Sequence, residues 1–420
     1  MNKMQRRFAT ISMAGLTTLL LSQAALVAAQ EDESRNPFSF WVAQSFVWDS
    51  NLYRLSDRVP DSDVPKGKRS DRYSFTRVGV DFDSEYSRQA FHAGLSLGKT
   101  LYKTHSNLNN TSGDAQLRWD WRVGDRWSGV LGYSYGIKSV DFDNVHAGAN
   151  SIEREKAMRQ LGRANVSADY WWHPDWATGF GFSDVRSSYR DDARPWDEYN
   201  AQQASLNFTY RPSTGNRIVL GFVFEEGQYP NQDKVRGSLR DWERRDLRLS
   251  GQWRLTGVTQ LSGYVGYTQR KYDLAPNRDF SGMTGSLALH WVPTGKAVVD
   301  LSWRREIGAD QDPVSNYAVT QGWTVGPAWL ISSKVRLGAN YEYLDRSYDG
   351  DPGGSSWLYH AMKYPKKDRK IQSYGVYVKY MPVSNADIQL KYQDSRSDAA
   401  EDWSYEFRAK TVWLSGSMTF

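Results

Sequence analysis

The stretch Asp114–Val123, DAQLRWDWRV, alternates without a break. Ala115, Leu117, Trp119, Trp121 and Val123 interleave with Asp114, Gln116, Arg118, Asp120 and Arg122. Successive side chains of a β-strand point to opposite faces, so this segment carries one apolar face and one charged face. The same period returns along the chain. Phe91, Ala93, Leu95 and Leu97 alternate with His92, Gly94, Ser96 and Gly98. Leu247, Leu249, Gly251, Trp253 and Leu255 alternate with Asp246, Arg248, Ser250, Gln252 and Arg254. Further on, Val335, Leu337, Ala339, Tyr341 and Tyr343 alternate with Lys334, Arg336, Gly338, Asn340 and Glu342.

Strand centres fall near residues 44, 79, 96, 118, 132, 165, 181, 206, 221, 249, 265, 288, 302, 324, 339, 377, 390 and 413. No helical pattern follows that could cover the apolar faces. The fold class is therefore all-β, a transmembrane antiparallel β-barrel of about 18 strands, within a range of about 16–20. Connections alternate in length. Short turns lie at Ser84–Arg88, Gly124-Asp125, His173–Asp175, Arg211–Asn216, Thr256–Val258, Pro293–Lys296, Ser332-Ser333 and Pro382–Asn385. Longer polar loops, among them Tyr53–Asp71, Ser139–Arg154, Gln228–Leu239 and Arg346–Asp368, lie between them. In such barrels short turns face the periplasm and long loops the exterior. Trp121, Trp127, Trp172, Trp176, Tyr210, Trp253, Trp291, Trp329 and Tyr380 sit beside the short turns, where one interfacial girdle belongs. The final alternation, Val412 to Phe420, ends on an aromatic residue, which resembles the signal read by the barrel-assembly machinery.

Composition agrees. The mean hydropathy is polar at −0.67, yet the chain holds 18 Trp, 25 Tyr and 16 Phe. A barrel reconciles these numbers, because only alternate residues touch outer-membrane lipid. The absence of cysteine removes disulfides and thiolate metal sites from consideration. Basic residues are interleaved with acids, which excludes a nucleic-acid surface.

The N-terminus reads as a signal peptide over residues 1–29. Lys3, Arg6 and Arg7 precede an apolar run from Phe8 to Ala29, and Val27-Ala28-Ala29 offers small residues for cleavage before Gln30. The rest, 30–420, reads as one outer-membrane barrel domain. Without the three signal cations the formal charge of +5 falls to +2.

No catalytic constellation is visible, and no cofactor or metal motif. His92 and His290 fall on lumen-facing positions but stand alone. Eighteen strands leave an aqueous channel rather than a packed interior. Pore-lining candidates on the charged faces are Arg118, Arg122, Arg163, Arg248, Arg254, Arg304, Arg336 and Lys379, with Lys334 also inward. Cations exceed acids on that face, which favours anionic cargo. Trp357, Tyr359 and Tyr364, in the longest loop, are candidates to gate the mouth.

Trp48-Asp49-Ser50-Asn51-Leu52-Tyr53-Arg54-Leu55 resembles a signature of the exopolysaccharide-operon EpsL-type outer-membrane family. Arg69–Phe75 and Tyr86–Phe91 are similar to its next blocks. The resemblance implies a conduit for a capsular or extracellular polysaccharide, working with a periplasmic polysaccharide export protein, and marks Asn51 and Arg54 as motif positions. An uptake porin for oligosaccharides or other solutes is the alternative. A sheath around a multihaem electron conduit lacks support, because such sheaths are longer.

Overall fold

The computed structural model describes residues 36–140, 142, 156–190, 193–213, 215–233, 239–309, 315–350 and 365–420. The signal-peptide reading lies outside these residues, as do Trp357, Tyr359 and Tyr364.

Eighteen strands follow one another: β1 (Phe38–Asp49), β2 (Asp71–Tyr86), β3 (Gln89–Tyr102), β4 (Asn110–Val123), β5 (Trp127–Ser139) and β6 (Met158–His173). The chain continues through β7 (Trp176–Tyr189), β8 (Tyr199–Ser213), β9 (Asn216–Gln228), β10 (Asp241–Thr256), β11 (Thr259–Tyr272) and β12 (Phe280–Thr294). It ends with β13 (Ala297–Ala309), β14 (Tyr317–Leu330), β15 (Val335–Asp349), β16 (Arg369–Val383), β17 (Ala386–Ala399) and β18 (Phe407–Thr419). Every sequence-derived centre falls inside its own strand.

Each strand pairs antiparallel with its neighbours in sequence, and β1 pairs with β18 to close the ring. At the seam Trp41 lies opposite Thr419 and Asp49 opposite Thr411. Closure leaves no free sheet edge, which a lipid environment demands, since unpaired backbone groups there cost several kcal/mol each.

The faces sort as the alternation requires. Leu117, Leu249 and Leu337 are 58%, 47% and 45% exposed. Exposed leucine in register around a closed sheet is the lipid-facing surface of an outer-membrane barrel. Trp127, Trp176, Trp253, Trp291, Trp329 and Tyr380 are likewise exposed beside the short turns, and Trp176 stacks on Tyr210 with centroids 4.4 Å apart. The turns are tight. Gly124 adopts φ +57° between β4 and β5, a left-handed conformation that a side chain would disfavour. Strands of 12 to 16 residues exceed the 9–11 needed to cross a bilayer, so they extend beyond it on the long-loop side.

Candidate functional site

Register carries the inward face from strand to strand. His92 lies opposite Arg118, Arg118 opposite Gly132, Gly132 opposite Asn165, and Asn165 opposite Ser183. Ser183 then lies opposite Gln203, Gln203 opposite Glu225, and Glu225 opposite Arg244. These residues therefore line the lumen, and each residue of the same parity on those strands does too.

The lumen wall is electrically uneven. Strands β6 to β11 present Arg159, Arg163, Arg211, Arg217, Arg244, Arg248, Arg254 and Arg270, and their inward acids among the described residues are Asp169, Glu225 and Asp246. Strands β1 to β4 reverse the balance: Asp49, Asp71, Asp81, Asp83, Asp114 and Asp120 face inward with Arg77, Arg118 and Arg122. The basic wall runs the height of the barrel. Arg159, Arg163, Arg244 and Arg270 stand near the long-loop end, Arg248 at mid-height, and Arg211, Arg217 and Arg254 near the turns.

Several of these arginines sit over aromatic rings. The Arg270 guanidinium sits 3.7 Å from the Trp242 ring centre and 5.1 Å from that of Tyr272. Arg248 covers Tyr264 at 4.2 Å, and Arg211 covers Trp171 at 4.1 Å. Such a cation–π contact holds the guanidinium against the wall while keeping its charge. Arg244 spans the two acids nearest it, Glu225 at 2.9 Å and Asp246 at 3.2 Å.

The pore-lining candidates separate into two groups. Arg163, Arg248 and Arg254 belong to the basic wall, and Arg122 lies at its lower edge within electrostatic reach of Arg211. Arg118, Arg304, Arg336 and Lys379 face the lumen elsewhere. There Arg118 is held by Asp120 through two contacts of 2.6 and 2.7 Å, Arg304 lies 3.8 Å from Glu342, and Lys379 lies 3.3 Å from Asp387. Arg336 stands opposite Lys379 in register. Lys334, read as inward, instead sits in the β14–β15 turn, where its amine donates to the Pro382 carbonyl at 2.9 Å. Sequence reading missed Arg211, Arg217 and Arg244. Continuing the alternation upward from Asp246 would have found Arg244; the other two flank a turn that was drawn too wide.

Two small hydrophobic cores narrow the mouth. In the first, Leu52, Tyr53, Leu55, Val59 and Val64 of the β1–β2 loop pack with Leu108 against the inward Tyr73 and Tyr102. His105 locks it: Nδ1 meets Asp71 Oδ2 at 2.9 Å, Nε2 meets the Pro65 carbonyl at 3.1 Å, and both side chains are fully buried. Burial pushes the Tyr53 phenol above its ordinary range. The second core joins Leu239 and Ala275 to the inward Trp242, Tyr272 and Phe280. β2 and β11 are nine places apart in a ring of eighteen, so the two cores face each other across the mouth.

Asn51 and Arg54 belong to the turn that starts the first core. Asn51 donates to the Leu55 carbonyl at 2.7 Å and the Arg408 carbonyl at 3.0 Å, and accepts from the Leu55 N–H at 2.9 Å. Arg54, at φ +55°, pairs with Asp49 at 2.9 Å. The motif is thus spent on anchoring a loop to β1 and β18.

No family model matches this chain, and no curated protein matches it in sequence. Solved structures share its architecture. The outer membrane protein OpdK from Pseudomonas aeruginosa is 11% identical, with a TM-score of 0.48 over 91% of this chain and 98% of that chain. OpdQ from the same organism is 9% identical (TM-score 0.47; 91% and 98% covered), and OccAB3 from Acinetobacter baumannii is 10% identical (0.47; 91% and 98%). The likeness is one of fold. These neighbours are outer-membrane proteins of the OprD kind, not exopolysaccharide-export barrels. The resemblance to the EpsL-type family is therefore corrected, and the polysaccharide-export function with it.

Proposed function

We propose that the barrel is a passive uptake channel for small polar solutes in which anions are favoured. The observation that carries this reading is the basic wall of β6 to β11, which faces the lumen from the mouth to the periplasmic end. A low-dielectric wall focuses the field of such residues onto the pore and raises the local concentration of anions. Guanidinium groups at successive heights give several weak stations, so a solute exchanges one for the next without being trapped. Arg163 receives it below the mouth, Arg248 holds it at mid-height, and Arg217, Arg254 and Arg211 hand it to the periplasm. The opposing loop cores favour small solutes over a folded or bulky chain.

The test is electrical and chemical together. In planar bilayers the purified protein is expected to show a reversal potential of anion-selective sign, and proteoliposomes to take up a small carboxylate faster than a neutral sugar of similar size. Cation selectivity, or equal uptake of both solutes, would defeat the proposal.

A further inference from the structure

The outer face of the barrel carries a second charged feature, unrelated to the lumen. On β18, β2 and β3, the outward residues of the long-loop half include Arg408, Lys410, Arg72 and Lys99, all exposed. Register makes them neighbours. Arg72 lies opposite Trp48 of β1, and Trp48 lies opposite Val412 of β18. The Lys410 N–H donates to Ser50 Oγ at 2.7 Å, which places Lys410 beside the end of β1. β18 and β2 flank β1, so Arg72 and Lys410 project from backbones about 10 Å apart. The Arg408 carbonyl is pinned by Asn51. Lys99 adds a fourth cation on β3, its amine donating to Thr111 Oγ1 at 3.2 Å.

What sets this face apart is that cations without an ion pair gather on adjoining strands. Elsewhere on the outer wall Arg186 pairs with Asp184 at 3.0 Å, Arg245 with Glu243 at 3.1 Å and Arg396 with Asp398 at 2.7 Å, while among the described residues Lys271 and Lys370 stand singly, each the one unpaired outward cation of its own strand. Among the described residues no carboxylate lies within ion-pair distance of Arg72, Lys99, Arg408 or Lys410. By register Asp394 lies opposite Lys410, outside ion-pair distance. On the turn side of these cations the wall is apolar, with Leu97 below Lys99, Leu414 below Lys410 and Phe46 opposite Leu414, all exposed. Three cations without an ion pair, Arg72, Arg408 and Lys410, above an exposed apolar wall at the level where the barrel leaves the bilayer, match one chemistry: a phosphate headgroup with acyl chains below it.

We infer that the β18–β1–β2–β3 face holds a phosphate-bearing lipid of the outer leaflet, its phosphate on Arg72, Arg408 and Lys410 and its chains along Phe46 and Leu414. The site is independent of the channel reading, since none of these side chains faces the lumen.

Native mass spectrometry of the full barrel in detergent, with bis-phosphorylated lipid A or its dephosphorylated form, tests the assignment. Wild type is expected to retain the phosphorylated lipid and release the dephosphorylated one. At about fivefold per cation near a charged surface, the triple variant Arg72→Gln/Arg408→Gln/Lys410→Gln should bind roughly a hundredfold more weakly, and each single variant about fivefold more weakly. A control, Arg186→Gln/Arg245→Gln, removes paired cations from the far face and should bind as wild type. Heat-modifiable gel mobility verifies folding, and the single variants decide the matter if the triple one misfolds. Equal retention of both lipids, equal loss in control and patch variants, or displacement by millimolar inorganic phosphate would each overturn the assignment.

Discussion

Reversing the charge at Arg248 probes the channel at its middle. Arg248 faces the lumen on β10 and rests on Tyr264 at 4.2 Å, so its charge stays near the wall. For an ion passing about 6 Å from the guanidinium in water, the Coulomb energy is about 0.7 kcal/mol. Arg248→Glu changes the charge by two units, or about 1.4 kcal/mol unscreened. At 0.1 M salt the Debye length of about 10 Å cuts that to about 0.8 kcal/mol. An anion is disfavoured and a cation favoured by the same amount, so the permeability ratio moves by about 1.5 kcal/mol, roughly tenfold toward cations. The reversal potential across a planar bilayer with asymmetric salt reads this ratio directly. A shift smaller than about twofold would mean that ions do not pass near Arg248, and the basic wall would lose its role.

Leu249, one residue along, faces lipid, and Leu249→Arg should cost about 2–4 kcal/mol in urea refolding into liposomes, whereas Ser250→Arg, inward at the same height, should cost far less; equal costs would invert the assigned faces. His105→Ala removes the ring hydrogen bond from buried Asp71, a loss of about 1.5–3 kcal/mol for a bond to a charged group. Amides of residues 56–69 should then exchange faster and single-channel conductance should rise; unchanged exchange would remove His105 as the lock. Asn51→Ala strips three buried hydrogen bonds, each left-over group costing about 1–3 kcal/mol, and should loosen the upper β1–β18 seam by hydrogen exchange at Ser50 and Lys410. Unaltered protection at the seam would contradict the anchoring role.

Strand positions were legible because lipid enforces alternation. Along Asp114–Val123 every outward residue must be apolar, so the pattern is unbroken. Above the bilayer both faces meet water, and the signal fades at once. On β10 the outward Glu243 and Arg245 are charged like the inward Arg244, and nothing in the sequence marks which of them reaches the lumen. The unevenness of the wall was hidden for a related reason: summing inward charges over the whole chain averages the basic β6–β11 sector against the acidic β1–β4 sector. The loop cores were invisible, because Leu52, Tyr53 and Leu108 gather only after β1, β2 and β3 are in place. Short-motif likeness at Trp48–Leu55 misled for the opposite reason. A turn that anchors one strand to the next is a local necessity in any such barrel, and it carries no information about cargo.

Each ladder in the ring but one joins segments adjacent in sequence, and the exception joins β1 to β18. At that seam Phe40 and Phe420 exchange backbone hydrogen bonds of 3.2 and 2.7 Å on the turn side of the barrel. Geometrically the ring has no first strand. Joining the two ends with a short periplasmic linker, and cutting any long loop instead, would preserve every ladder and merely transfer the long-range closure to another hairpin. Loop-closure entropy grows only with the logarithm of length, so a circularly permuted chain should reach the same barrel with a different seam closing last.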